Sequence, residues 1–168
     1  MKKIITINVE NLSKEEYNLF TQLIEKSKKK KNNIWKPERR EKYYYVRNDG
    51  EVFHSFYENC CSADCGNYSM GNCFRTREEA EFTVKKLEVI AELKRFAEEN
   101  NNKELDWNNK NQTKYWLAYD CKNNEILIYN NMFVKHNDIF FSSNTIAEKA
   151  IKEIGEERLK KYYFEMEE

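Results

Sequence analysis

Two stretches of this 168-residue chain share one unusual layout, and that layout constrains the fold more than any other feature. The first reads "KYYYVRNDGEVFHSFY" and the second "KYWLAYDCKNNEILIYNN". Each begins with Lys and an aromatic strand, at Tyr43–Val46 and at Tyr115–Tyr119. A polar turn follows, "NDG" or "CKNN", and then an alternating strand, Val52–Tyr57 or Ile126–Tyr129. Asn-Asp-Gly between alternating apolar runs is a hairpin signal, because its residues tolerate positive φ. A third short strand is expected to end in Phe74 or Phe141, and a helix follows it. Thr76 before "REEA" and Ser143 before "NTIA" are N-cap residues, with Ala80 and Ala147 in equivalent places.

The expected fold is therefore α+β. An N-terminal β-α unit is followed by two β-β-β-α repeats, antiparallel sheets with helices on one face. The divisions are 1–42, the β-α unit and its connector; 43–100, the first repeat with a long helix; and 101–168, a linker, the second repeat and the C-terminal helix. All three are expected to pack as one domain. In the first division "KIITINV" alternates as a strand. Ser13 and Glu16 then form a capping box for a helix whose stripe is Tyr17, Phe20, Leu23 and Ile24. Pro37 forbids regular helix in the connector "NNIWKPERRE". Helical spacing after Thr76 persists to about Glu99. The last helix is expected to break at Gly155, with Leu159, Tyr162 and Tyr163 closing the core. Leu105 and Trp107 are expected to anchor the polar linker.

The offset between the repeats is 72 residues at their first strands but 67 at their helices. The first copy thus carries about five extra residues, and "NCCSADC" lies there. This segment is expected to be a loop between the second and third strands. Cys73, in "YSMGNCF", is expected on the third strand itself. If the cluster holds zinc, the ligands are His54, Cys60, Cys61 and Cys65. Only Cys61 and Cys65 have the spacing of a ligand pair, however, and structural zinc usually needs two such pairs. Loop and core thiols in a reducing cytoplasm are the plainer reading, with no cofactor.

Catalysis finds little material. There are two histidines and four glycines, and no G-x-S-x-G, no H-E-x-x-H and no phosphate-cradling glycine loop. Glu78 and Glu79 fall in a first helical turn, where the dipole accounts for them. The chain is expected not to be an enzyme. Net charge is zero but uneven: +6 over residues 1–42, −4 over 43–100 and −2 over 101–168. Only the N-terminal part has the footprint of a nucleic-acid binder, through Lys28 and Lys30 in the run Lys26–Lys31 with Arg39 and Arg40. No apolar run is long enough for a membrane span, and the N-terminus lacks the form of a signal peptide. A cytoplasmic location follows as the expectation.

The aromatics are the strongest lead. They make up 14% of the chain and stand on both faces of their strands. One face must pack on a helix. The other would show some of Tyr44, Phe53, His54, Tyr57, Trp116 and Tyr129. Such rings stack on bases or form a protein-binding hot spot.

Two resemblances follow. The segment from Tyr43 to Leu87, with Gly71 to Ala80 reading G-x-x-F-x-T-x-E-E-A, resembles the three-strand-plus-helix layout of AP2-type and integrase-type DNA-binding domains. Those domains read the major groove with Arg and Trp from their strands. Here the strands offer only Arg47, among Asp49, Glu51 and Glu58, so the layout is carried over and the DNA reading is not. The whole chain also resembles small accessory proteins encoded by phages and prophages of Gram-positive bacteria such as clostridia. The carrying features are "WKPERREKYYYV", "GNCFRTREEAEFTVKKLEVIAELKRFAEENN", "LDWNNKNQTKYWLAYD" and "AEKAIKEIGEERLKKYYF". "NCCSADC" stands apart from that family's pattern. The resemblance implies a phage accessory gene acting in a bacterial host cell. A counter-defence role is then expected, with a host immune protein such as a CRISPR effector as partner, or a nucleotide signal to be sequestered. The alternative is a nucleic-acid-binding regulator.

Overall fold

The computed structural model describes residues 12–29, 35–136 and 138–166. The chain divides into two units, Met1–Lys36 and Pro37–Glu168. The expected strand near residues 4–9 lies outside the described residues, as does Lys30.

In the first unit, α1 spans Lys14–Lys29. The Ser13 hydroxyl accepts from the Glu16 amide at 3.3 Å, and the Ser13 amide donates to Glu16 Oε2 at 2.8 Å. The capping box is thus formed as read. These bonds hold the Glu16 carboxyl below its ordinary range.

The second unit begins with β1 (Lys42–Val46) and β2 (Val52–Phe56), paired antiparallel with Tyr44 opposite His54. The turn between them closes through Gly50 at φ +84, a conformation that favours glycine. Next come α2 (Ser62–Ser69) and the 24-residue α3 (Arg77–Asn100). A second hairpin joins β3 (Lys114–Asp120) to β4 (Glu125–Asn131). Then α4 (Asn144–Ile154) ends at Gly155, φ +96, and α5 (Glu156–Arg158) runs on into a π-helical turn, Leu159–Tyr163. The caps at Thr76 and Ser143, the long helix and the break at Gly155 all fall where the sequence puts them.

The three-stranded sheets do not form. Among the described residues each sheet has two strands. The third strand is reduced to one bridge, Tyr44 with Phe74 and Tyr115 with Phe141, each made of two backbone hydrogen bonds. The reason is local. Phe74 and Phe141 stand two residues before Thr76 and Ser143, whose hydroxyls cap helices, so the chain must leave the ladder after a single pair. The bridges also shift the correspondence between the hairpins by one residue. Tyr44 and Tyr115 now match, and so do buried Tyr43 and buried Lys114.

The segment "NCCSADC" is not a loop either. Its second half begins α2, which leaves through a turn at Gly71, φ +73. Helix α2 is weakly amphipathic and is held by polar bonds. Asp64, buried, accepts from the Tyr43 hydroxyl at 2.7 Å and from the Glu58 amide at 2.9 Å. Asn67 donates to the Tyr43 oxygen at 3.1 Å. Burial, and then the Asp64 carboxylate, push Tyr43 ionisation well above its ordinary range. The Asn72 carboxamide accepts from the Val46 amide at 2.8 Å and donates to the Val46 carbonyl at 2.9 Å. It does what one more residue of a third strand would have done.

The main apolar core lies further along the chain. Val89, Leu93, Phe96 and Ala97 of α3 meet Leu117, Phe141, Leu159 and the buried face of α4. Arg158 clamps this end to α3 through two bonds to Glu92, at 2.9 and 3.0 Å. Those bonds hold the Glu92 carboxyl below its ordinary range.

Replacing Asn72 with Ala removes both bonds to Val46 and leaves its partly buried amide bare. The expected loss is about 2 kcal/mol of stability, read by urea denaturation. Hydrogen exchange at Val46 should accelerate while that at Leu117 moves only with the global change.

Candidate functional site

The register of the second hairpin sets its faces. Leu117, Ile126 and Ile128 turn to the core. Lys114, Trp116 and Tyr129 turn the other way, because side chains alternate along a strand. Trp116 and Tyr129 are a cross-strand pair with stacked rings 6.0 Å apart. His136 and Phe140, from the chain after β4, close on Trp116 at 4.8 and 5.9 Å. Trp107 of the linker meets Phe140 edge-on at 4.8 Å. Five aromatic rings thus gather on the outer face of this hairpin. Beside them is a cleft of about 560 Å³ between the linker and the end of α3, lined by Lys94, Asn101, Leu105, Trp107, His136 and Phe140.

Lys114 is the unexpected member. It is 0% exposed, with no carboxylate partner among the described residues. Its ammonium donates to the carbonyls of Asn109 and Met132, at 3.3 and 3.5 Å, and lies 5.1 Å from the centre of the Trp107 ring. Carbonyl dipoles and a ring face replace the lost water. One buried cation thereby ties the linker to the segment after β4. Lys135 lies over the same ring at 5.5 Å. Asn131, opposite Lys114 in the ladder, accepts from the amides of Phe133 and Val134 at 2.9 and 2.6 Å. Its buried Nδ2 has no hydrogen-bond partner among the described residues. Asp138 anchors the far end of the segment. It accepts from the Tyr163 hydroxyl and from the Ile139 amide, and stands 3.7 Å from His136 Nδ1. Burial, reinforced by Asp138, pushes Tyr163 ionisation far up.

The segment so held presents apolar side chains to solvent. Tyr129 is 51% exposed, Phe133 66% and Val134 60%, with Met132 beside them. Four large hydrophobic residues within six positions form a patch of the kind that marks interaction sites.

The other residues expected to bind are distributed differently. Tyr44 and His54 pair on one face of the first hairpin, with rings 6.1 Å apart and Lys42 over Tyr44. Phe53 is on the opposite face, against Tyr45 and under the Arg47 guanidinium at 4.7 Å. Tyr57 is not on the surface at all: it is 1% exposed and packs edge-on against Tyr43. It lies just past the end of β2, where the chain turns in under α2. Arg39 and Arg40 both face Glu58, at 2.9 and 3.8 Å, and the hydrogen bond to Glu58 raises the Arg39 pKa. Lys28 lies in α1, in the other unit. Within the second unit the structure therefore brings Trp116 and Tyr129 together on one hairpin and Tyr44 and His54 together on the other, with Phe53 on the opposite face and Tyr57 buried. Sequence reasoning missed Lys114, His136 and Phe140 as members of the site. The i, i+2 spacing of Lys114 and Trp116 was the available signal.

The thiols also separate. Among the described residues no three His, Cys, Asp or Glu side chains come together as metal ligands. His54 packs against Tyr44 and Phe56, and Cys65 Sγ donates to the Asn59 carbonyl at 3.3 Å. The candidate zinc set is thus not assembled. Cys60, Cys65 and Cys121 are exposed. Cys73 is half-buried beside Asp64, and burial and that carboxylate push its thiol up to about 11. No helix among the described residues is long and apolar enough to cross a membrane.

Comparison with protein-family models, with curated proteins and with solved structures finds no match.

Two outcomes are expected here. With limiting iodoacetamide at pH 8, Cys60, Cys65 and Cys121 should alkylate first and Cys73 last, as followed by peptide mass spectrometry, because the thiolate is the nucleophile. Lys114→Ala should cost about 3 kcal/mol through the emptied site and the released carbonyls. Its signature should be a loss of ordered Trp116 in near-ultraviolet circular dichroism.

Proposed function

We propose that this is a non-catalytic accessory protein that acts by binding, and that the outer face of the second hairpin is its contact surface for a host protein. The observation that carries this reading is the exposed run Met132–Val134 beside Tyr129. An exposed Phe and Val cost solubility and contribute nothing to this chain's own core. They are held by Asn131 and by the Lys114 bond to Met132, so little ordering entropy remains to be lost on contact. Aromatic anchors surrounded by less critical contacts are the usual form of a hot spot. The whole-chain resemblance to phage accessory proteins supports a host immune protein, such as a CRISPR effector, as the target, and a counter-defence role in the bacterial cytoplasm. The matching bridges, Tyr44 with Phe74 and Tyr115 with Phe141, each followed by a capped helix, support reading the two hairpin–bridge–helix segments as diverged copies of one unit.

A second reading has its own observation. The cleft beside Trp107 is lined by Lys94 and Lys135 together with Glu98 and Asp138, and the rings of Trp107, His136 and Phe140 stand in its wall. Ring faces beside both donors and acceptors suit the face and edge of a nucleotide base. The nucleic-acid regulator is less well supported, since Arg39 and Arg40 are engaged by Glu58.

The test uses immobilised wild-type protein and the variant Phe133→Glu, with host lysate and then with purified immune effectors. A target retained by wild type and weakened by about tenfold or more in Phe133→Glu is the expected result for a hot-spot residue. The two proteins should melt within about 1 °C of each other, since exposed Phe133 carries little of the core. Equal retention by both removes this surface. A rise in melting temperature with a nucleotide, lost in Lys135→Glu, would establish the second reading instead.

A further inference from the structure

The first hairpin has one closed edge and one open edge. On β1 the outward backbone groups of Tyr44 bond Phe74, and those of Val46 bond the Asn72 carboxamide. On β2 the outward groups belong to Val52, His54 and Phe56, because the ladder to β1 uses the alternate residues. The Val52 carbonyl accepts from Arg77 at 3.4 Å. Among the described residues, the outward backbone groups of His54 and Phe56 have no partner. The strand reads Val-Phe-His-Ser-Phe, without the lysine, proline or bulge that blunts a natural sheet edge.

A groove of about 670 Å³ runs along this edge. Its other wall is α3, and there the charges alternate: Arg77, Glu81, Lys85, Glu88. All four are exposed, and on the single chain they pair along the helix, Arg77 with Glu81 and Lys85 with Glu88. The order plus, minus, plus, minus has a particular property. Read backwards it is minus, plus, minus, plus. A second copy of this stripe, laid antiparallel, sets every cation against an anion.

We propose that β2 pairs antiparallel with β2 of a second copy of this chain, about a two-fold axis at His54, with the two α3 stripes side by side. The strand is self-complementary in this register. His54 faces His54 of the second copy, Val52 faces Phe56, and Phe53 faces Ser55. The His54 pair and the two Val52–Phe56 pairs exchange about six backbone hydrogen bonds, while Phe53 and Ser55 keep theirs to β1. Exposed Phe56 then packs against Val52 of the second copy. Arg77 faces Glu88, and Glu81 faces Lys85. The sheet of two strands becomes one of four, which meets the requirement that a stable sheet exceed an isolated hairpin. The contact is isologous and closes on itself, so it gives a dimer and not a fibre. The edge marks an extended strand as the partner. The alternating charge stripe selects a second copy over any other extended peptide.

The experiment is a charge swap. Native mass spectrometry and sedimentation of the full chain should give 40.8 kDa, twice the 20.4 kDa of one chain. Glu81→Lys alone sets lysine against lysine at both inner contacts, and Lys85→Glu alone sets glutamate against glutamate. Each should weaken the dimer by roughly tenfold, the scale for two like-charged contacts. Mixing the two variants should produce the mixed dimer in preference to either parent, because every inner contact is then opposite in sign. A role confined to one helix would not produce that preference. His54→Pro removes the outward amide together with a ring packed on Tyr44 and Phe56, so it should abolish the dimer, whereas His54→Ala, which removes the ring alone, should retain it; both should keep the far-ultraviolet circular dichroism of the folded chain. A chain that is monomeric at about 100 µM, a dimer indifferent to the swaps, or a monomer that instead takes up an unrelated extended peptide each overturns the proposal.

Discussion

Two backbone hydrogen bonds between Tyr115 and Phe141 hold the larger part of this molecule in order. Phe141 belongs to three structures at once. Its backbone completes the ladder of β3, its ring is fully buried among Leu93, Leu117 and Ala150, and two residues later Ser143 starts α4. The pairing therefore fixes where the hairpin lies on the helix, and the helix fixes where the core closes. Phe74 and Thr76 repeat the arrangement in the first hairpin, but with a different filling. There the space under the sheet holds the Asp64 carboxylate, the Tyr43 hydroxyl and two asparagine amides. Apolar burial tolerates small shifts of geometry, whereas a buried carboxyl group does not, since each lost bond leaves a buried acceptor unsatisfied. The first hairpin is for that reason the more exactly specified and the less forgiving of the two.

What the sequence made legible follows from local physics. Caps at Ser13, Thr76 and Ser143 depend on a hydroxyl and an amide three residues apart. The Gly50 turn and the Gly155 break depend on φ. These are short-range causes, and a local stretch of sequence carries each of them in full. Alternation continues up to Phe74 and Phe141 and so predicts third strands, while the cap two residues later ends the pairing. Helix α2 leaves no trace in the hydrophobic pattern because its anchors, Asp64, Asn67 and Asn72, are polar and carry no apolar period. Tyr57 looked like its neighbours on an aromatic strand, and only the path of the chain beneath α2 buries it. Lys114 could not be read as buried from its residue type, since lysine is among the residues least often found inside.

Lys114 also explains why the second hairpin differs from the first in kind. The matching residue there is Tyr43, equally buried, whose hydroxyl meets a carboxylate. Lys114 instead meets carbonyls from two separate segments and a tryptophan ring. A tyrosine in its place would reach only one of them. The lysine's length and its three donors allow it to hold the linker and the Met132 carbonyl together, and so to support an apolar patch that faces solvent. The first hairpin spends its buried polar group on its own closure. The second spends its own on presenting a surface.

Helix α3 joins these two roles. Its first half carries the alternating charges beside the open edge of β2, and its second half supplies Val89, Leu93 and Phe96 to the core beneath the second hairpin. Its 24 residues extend about 36 Å at the usual rise per residue. Self-association at the first half therefore leaves the aromatic face at the other end uncovered. A dimer would then carry two copies of that face, related by the same two-fold axis. Against a target that is itself symmetric or repeated, the second contact becomes intramolecular, and avidity exceeds the affinity of either face alone. Against a single-site target it adds nothing. On the proposed reading, the value of the open edge would depend on the symmetry of the target, and comparing a dimer with its monomeric variants would measure that symmetry.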